Sequence, residues 1–179
     1  MFGGGPLAPR TNYLLPKMAT EMDIELPERL ERVRGDAQLL SKFGIHIYYG
    51  RRHVFSEFDL KVLTVVQPLT YKVLSLYRDK KRPLWCYFVD KCGPETKAVV
   101  RKTGTLVCRR ALFAALERNQ YGPDGRSLKV DGERLYGTIK MVSAQPKLTT
   151  NVKHSDLVDR LSRALRERII PALRRSAGE

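Results

Sequence analysis

The chain has 179 residues, 42% of them hydrophobic and 29% charged, with a formal net charge of +14 and an isoelectric point near 10.0. That length suits one ordinary domain with an extension, and the composition excludes disorder throughout. No run approaches the roughly 18 apolar residues that span a bilayer, and no N-terminal apolar region reads as a secretory signal, so the expectation is a soluble, intracellular chain without membrane insertion.

Such an excess of cations goes beyond what solubility requires and points to a polyanion partner. Residues 1–68 hold nine Lys/Arg and eight Asp/Glu, which leaves +13 of the +14 to residues 69–179. Nucleic acid is the partner that most often selects such a surface, through phosphate contacts and counterion release, with an anionic membrane surface as the rival. Cys86, Cys92 and Cys108 are odd in number and lack C-x-x-C spacing, so they read as reduced thiols and not as a disulfide framework or zinc site.

In chain order, "MFGGGPLAPRTNYLLPKM" is rich in Gly and Pro, has no acid and no period, and is expected to be an extended arm. Leu30, Val33, Ala37 and Leu40 fall at helical intervals in "PERLERVRGDAQLL", suggesting a short helix over residues 27–40. "FGIHIYYGRRHVFSEFDL" is broken by Gly44 and Gly50 and reads as a linker. These segments make residues 1–68 an N-terminal extension, with a core domain over 69–179.

From Leu69 three strands are predicted: "LTYKVLSLYR", "PLWCYFVDK" and "TKAVVRKT", a meander in which Val99 and Val100 belong to the core. A helix follows from about Thr105 to Arg118. "ERLYGTIKMV" alternates, with Leu135, Ile139 and Met141 inward and Arg134, Tyr136, Thr138 and Lys140 outward. After "SAQPKLTTN" a last helix is expected, N-capped by Ser155 and ending near Pro171. The order is β-β-β-α-β-α: an α+β two-layer sandwich with a mainly antiparallel sheet, two helices on one face and cations on the other.

The candidate RNA-binding residues follow from that layout. Lys97, Arg101, Arg134 and Lys140 would stand on the exposed sheet face, with Lys102 at the strand-to-helix junction. Arg109 and Arg110 would sit near a helix N-terminus, against the macrodipole, so that a bound anion there would offset a cost of roughly 0.3–1 kcal/mol each. Arg160, Arg163 and Arg166 lie opposite the apolar stripe of the last helix, with only Asp159 and Glu167 to balance them. Catalysis finds little support: His46, His53 and His154 are scattered without ligand spacing, and no nucleophile, P-loop, dinucleotide or zinc-protease motif occurs. No metal, cofactor or small-molecule substrate is expected. "GPDG" at Gly122–Gly125 matches the KH-domain GXXG only formally and reads as a turn, and the aromatic signature of an RRM sheet is missing around Tyr136 and Lys140.

Tyr71 and Val73, Leu84 and Tyr87, the run Val99, Val100, Arg101, Lys102 and Gly104, and Gly137, Thr138 and Ile139 follow one another in an order that resembles the mitochondrial large-subunit ribosomal protein forty-nine family. The resemblance covers Leu69 to Ile170. Pro83 before Leu84, Ser143 in place of a glycine, and a longer loop from Ala144 to Lys153 depart from the pattern. It implies a fold similar to eukaryotic translation initiation factor one. It also implies a non-catalytic, structural role in the mitochondrial matrix, binding ribosomal RNA and other mitochondrial ribosomal proteins. A free RNA-binding translation factor of the initiation-factor-one type is the alternative. The Gly-Gly-Gln loop of the related-looking peptidyl-tRNA hydrolases is absent from "CGPE".

Overall fold

The computed structural model describes residues 15–34, 37–65, 67–79, 81–91, 93, 95–130 and 132–175. Of the extended arm expected over residues 1–18, residues 15–18 instead begin a helix, and residues 1–14, like Cys92, lie outside the described residues. In chain order the elements are α1 (Leu15–Glu21), β1 (Ile24–Glu25), β2 (Glu31–Arg32), α2 (Ala37–Phe43), β3 (Ile45–Gly50), β4 (His53–Val54), α3 (Glu57–Leu63), α4 (Pro68–Arg78), β5 (Leu84–Asp90) and α5 (Ala98–Arg118). There follow β6 (Arg134–Leu135), β7 (Gly137–Ser143), α6 (Pro146–Thr150), α7 (His154–Ala164), a π-helical turn (Leu165–Ile169), α8 (Ile170–Leu173) and β8 (Arg174–Arg175). The class is α+β.

The chain forms two compact units, and neither follows the expected division at residue 68. The larger takes residues 29–53 and 82–179, the smaller residues 1–28 and 54–81. The segment read as a linker is therefore β3, an inner strand of the larger unit's sheet, and the helix expected over 27–40 is replaced by a 3-10 turn, the short β2, and α2.

In the smaller unit the strand expected over Leu69–Arg78 is the helix α4. Thr70, Val73, Leu74 and Tyr77 are its buried residues, spaced i, i+3, i+4, i+7, which only a helix can bring to one side. Pro68 opens it at the first helical position, where its missing N–H costs nothing. The Thr70 hydroxyl accepts from the Gln67 N–H at 3.2 Å and donates to the Val65 carbonyl at 2.6 Å, fixing the turn before it. Tyr77 donates to Asp59 Oδ2 at 2.7 Å and accepts from the Ser56 N–H at 2.9 Å, tying α4 to α3.

The larger unit is built on a four-stranded mixed sheet in the order β2-β3-β7-β5. β3 runs antiparallel to β7, with Ile47 opposite Met141, while β5 runs parallel to it, with Cys86 opposite Ile139. Two parallel neighbours need a long crossover, and α5 supplies it. The expected third strand, Thr96–Thr103, is the first part of that helix. Gly104, Cys108, Ala111, Leu112, Ala115 and Leu116 form its buried stripe, and Val99 is 75% exposed, so the valine pair is not core. Gly104 is a requirement of packing: a Cβ there would come within 2.9 Å of Ser143 Oγ and 3.3 Å of Pro146 Cβ.

One face of the sheet, with Ile45, Ile47, Ile139 and Met141, is sealed by Cys108, Leu112 and Leu116 of α5 and by Leu157 and Leu161 of α7. The β-β-β-α-β-α meander is thus replaced, while two helices do pack on one face. β7 is buried along its whole length because it is an inner strand flanked on both sides, so Thr138 and Lys140, expected outward, are not solvated. The strand starts only at Gly137, whose φ of +124° and whose position against the Gly50 carbonyl admit no side chain.

The last helix begins at His154, not after Ser155, and runs beyond Pro171. Leu157, Leu161, Leu165, Ile169 and Leu173 recur every fourth residue, and all are buried. A regular α-helix would rotate the last of them about 160° away from the first. The π turn absorbs the drift: the Ile170 N–H reaches back to the Leu165 carbonyl, five residues before it. Pro171, which has no N–H and would press on the carbonyl four residues earlier, favours that widening.

Candidate nucleic-acid interface

Four of the expected cations lie on α5 and a fifth, Lys97, caps it, though not in the expected setting. With the helix starting at Ala98, Arg109 and Arg110 are its twelfth and thirteenth residues, in mid-helix, where the macrodipole opposes nothing. The N-terminal place is taken by Lys97 at the N-cap and by Arg101, with no acid in the first turn to offset them. Arg101 is half-buried, and its Nε is shielded from solvent with no hydrogen-bond partner in the protein.

Lys102 and Arg109, seven residues apart, stand within about 20° of one another and about 10 Å apart along the helix. Both are exposed, as is Arg110 beside them. The Arg109 guanidinium lies 5.6 Å from the centre of the Phe113 ring, one turn on, which holds the charge outward while its stem covers apolar surface. Among the described residues, no carboxylate pairs with Lys102, Arg109 or Arg110.

α7 adds Arg163, exposed opposite the buried stripe, with Arg160 half-buried on its flank. Asp159, one of the two acids expected to balance this helix, is drawn across to Arg118 at the end of α5. Asn119 binds the two helices further, donating to Ser162 Oγ at 2.9 Å and to the Ala115 carbonyl at 2.7 Å. Arg166, on the π turn, reaches Asn119 Oδ1 at 3.4 Å. Lys102, Arg109 and Arg110 on α5, Arg163 on α7 and Arg166 on the π turn are therefore all exposed on elements of the same helical layer.

Arg134 and Lys140 do not join them. Arg134 lies in the small β6–β8 ladder, opposite Arg175. Lys140 is only 7% exposed: on β7 it stands between Tyr48 of β3 and Tyr87 of β5, and its Nζ is 5.4 Å from the Tyr48 ring centre. The sheet face away from the helices is thus aromatic as well as basic, with His46, Tyr48 and Tyr87 half-buried there. Burial, then Arg32 and Lys91, holds the His46 pKa below its ordinary value, so the ring is neutral at physiological pH.

Tyr136, expected on the sheet, instead faces the His53 ring at 4.5 Å, and His53 stacks on Trp85 at 4.0 Å. His53 also meets the Pro83 carbonyl through Nε2 at 3.0 Å. These rings pack among themselves. Burial raises the thiols of Cys86 and Cys108 to about 12 each, which removes them as nucleophiles. Among the described residues no cluster of His, Cys, Asp and Glu could hold a metal ion, and no helix is long and apolar enough to cross a membrane.

The division into units redistributes the charge. Of 33 Lys/Arg and 19 Asp/Glu, 26 and 12 fall in the larger unit, a net of +14; the remaining 7 and 7 fall in the smaller, a net of zero. Reading residues 1–68 as one extension hides this, because it joins the basic β3 segment to acidic neighbours. Arg32, Arg34, Arg51 and Arg52, all in that segment, escape the sequence reading for the same reason.

Compared with protein-family models, curated proteins and solved structures, the chain matches none of them.

Proposed function

We propose that the larger unit is an RNA-binding body and that the protein serves, without catalysis, as a structural constituent of the large subunit of the mitochondrial ribosome. One observation carries the RNA part of this reading: the entire net charge of +14 resides in the larger unit and none in the smaller. A charge that served solubility alone would have no reason to be so divided. The exposed Lys102, Arg109 and Arg110 of α5 have no carboxylate partner among the described residues, which suits a run of phosphate contacts. The ribosomal and mitochondrial part rests on the sequence resemblance over Leu69 to Ile170, two of whose four segments lie on α4 and α5 instead of on strands.

Sedimentation of the tagged chain from mitochondrial lysate tests the reading. A structural constituent stays with the large subunit through a high-salt wash. Release at moderate salt would assign the chain to the free translation factors instead, and absence from ribosomal fractions at low salt would sink both.

A further inference from the structure

At the β2 edge of the sheet, opposite the edge formed by β5, a cavity of about 880 Å³ is lined by Leu30, Glu31, Arg32, Val33, Arg34, Tyr49 and Arg168. Three of its seven lining residues are arginines and one is acidic. We infer that this cavity is a phosphate-binding site, separate from the cations on α5, in which Arg34 and Arg168 grip the phosphate and Tyr49 anchors the floor.

Several observations converge on it. The groove is open to solvent on one side and its volume lies in the range of small-molecule pockets, which leaves room for a phosphate to enter. Guanidiniums offer forked donors that match phosphate oxygens two at a time. The competing carboxylate is already engaged: Tyr49 donates to Glu31 Oε2 at 3.2 Å. Positive charge gathers around that hydroxyl from separate elements. Burial, then Glu31, raises the Tyr49 pKa, while the charges of Arg51 and Arg168 pull it down.

The position of Arg168 follows from the π turn. Leu165 and Ile169 keep their places in the core across the widened turn, and Arg168 between them is exposed toward the cavity. Single widened turns of this kind recur where a helix must aim one side chain. Glu31 and Arg32 lie on the short edge strand β2, fixed by pairing with Tyr49 and Tyr48. Arg32, Arg34 and Arg168 are all exposed, so their substitution leaves the core intact.

A phosphate could come from an internal RNA linkage or from a free or terminal phosphomonoester. Amide chemical-shift titration of the full chain, with inorganic phosphate, adenosine monophosphate and a 5′-hydroxyl RNA oligonucleotide as separate probes, distinguishes them. Inorganic phosphate is expected to shift the amides of residues 31–34, Tyr49 and Arg168. Arg34→Ala and Arg168→Ala should each weaken it about tenfold, and Glu31→Gln should strengthen it by removing the acidic charge among the described lining residues. Displacement by the monophosphate alone assigns a phosphomonoester; displacement by the oligonucleotide assigns an RNA linkage. Phosphate-induced shifts confined to α5 and α7, or unchanged by the two arginine substitutions, would overturn the site, while leaving RNA binding by the helical layer standing.

Discussion

Replacing Lys102, Arg109 and Arg110 together by Gln tests whether the outer surface of α5 is a phosphate-binding surface. All three are exposed, and none is paired with a described carboxylate, so the substitution removes three charges without stranding a buried partner. It also removes the packing of the Arg109 guanidinium on the Phe113 ring, which contributes about 0.5–1 kcal/mol at an exposed site. If each cation neutralises one phosphate, each contributes about 0.8 to the slope of log affinity against log salt, and the slope flattens by about 2.4. At 150 mM monovalent salt that amounts to a loss of about 100-fold, or about 2.7 kcal/mol. Fluorescence anisotropy with a structured RNA, from 50 to 300 mM KCl, measures both quantities. The matched control is Lys61, Lys72 and Arg78 replaced by Gln, the same loss of charge from exposed positions in the electrically neutral smaller unit. It should change affinity by less than about threefold, since exposed charges that make no phosphate contact are screened by salt. Equal effects from the two triple variants would refute the surface, because affinity would then follow net charge and not position.

Three further outcomes are expected. Gly137→Ala should destabilise the protein by about 3 kcal/mol or more in urea titration, since φ is +124° and a Cβ would clash with the Gly50 carbonyl; a loss below about 1 kcal/mol would contradict the geometry. Leu112→Ala, at a fully buried position between α5 and the sheet, should cost about 2–5 kcal/mol, and a smaller loss would mean that the helix does not pack as described. Burial pushes the Cys86 and Cys108 thiols up from an ordinary 9.0 to about 12 in the folded protein, so the unfolded state gives up its protons first. Their stabilising effect is therefore complete below pH 9 and lost as pH rises toward 12, at up to about 1.4 kcal/mol per pH unit for each thiol; in a Cys92→Ser background, a stability unchanged between pH 9 and 11 would argue against their burial.

Much of the larger unit is legible in the sequence. The alternation of "GTIKM" marks β7, the apolar run "LWCYFV" marks β5, and the stripe Leu157, Leu161, Leu165 marks α7. Local preference misleads where tertiary packing decides. Val99 and Val100 favour strands, yet they lie in the first turn of a helix nucleated by the longer stripe from Gly104 to Leu116. Tyr71, Val73 and Tyr77 suggest a period of two, although Thr70, Val73, Leu74 and Tyr77 already carry the helical spacing. β3 is hidden because glycines flank it, and here they mark its two ends. Cation positions inherit these errors: Lys140 falls on an open surface that an inner strand does not have, and Arg109 beside a helix start that lies three turns earlier. The exposed cations of α5 and α7 are nonetheless visible as unbalanced charge.

The most direct measurement is cross-linking of the full chain to RNA inside intact mitochondrial ribosomes, with the linked peptides identified by mass spectrometry. RNA-linked peptides should come from Ala98–Arg118 and His154–Ala164, on a chain that remains with the large subunit. Links confined to residues 54–81 of the neutral unit, or a chain recovered without RNA and outside the particle, would contradict the proposed role.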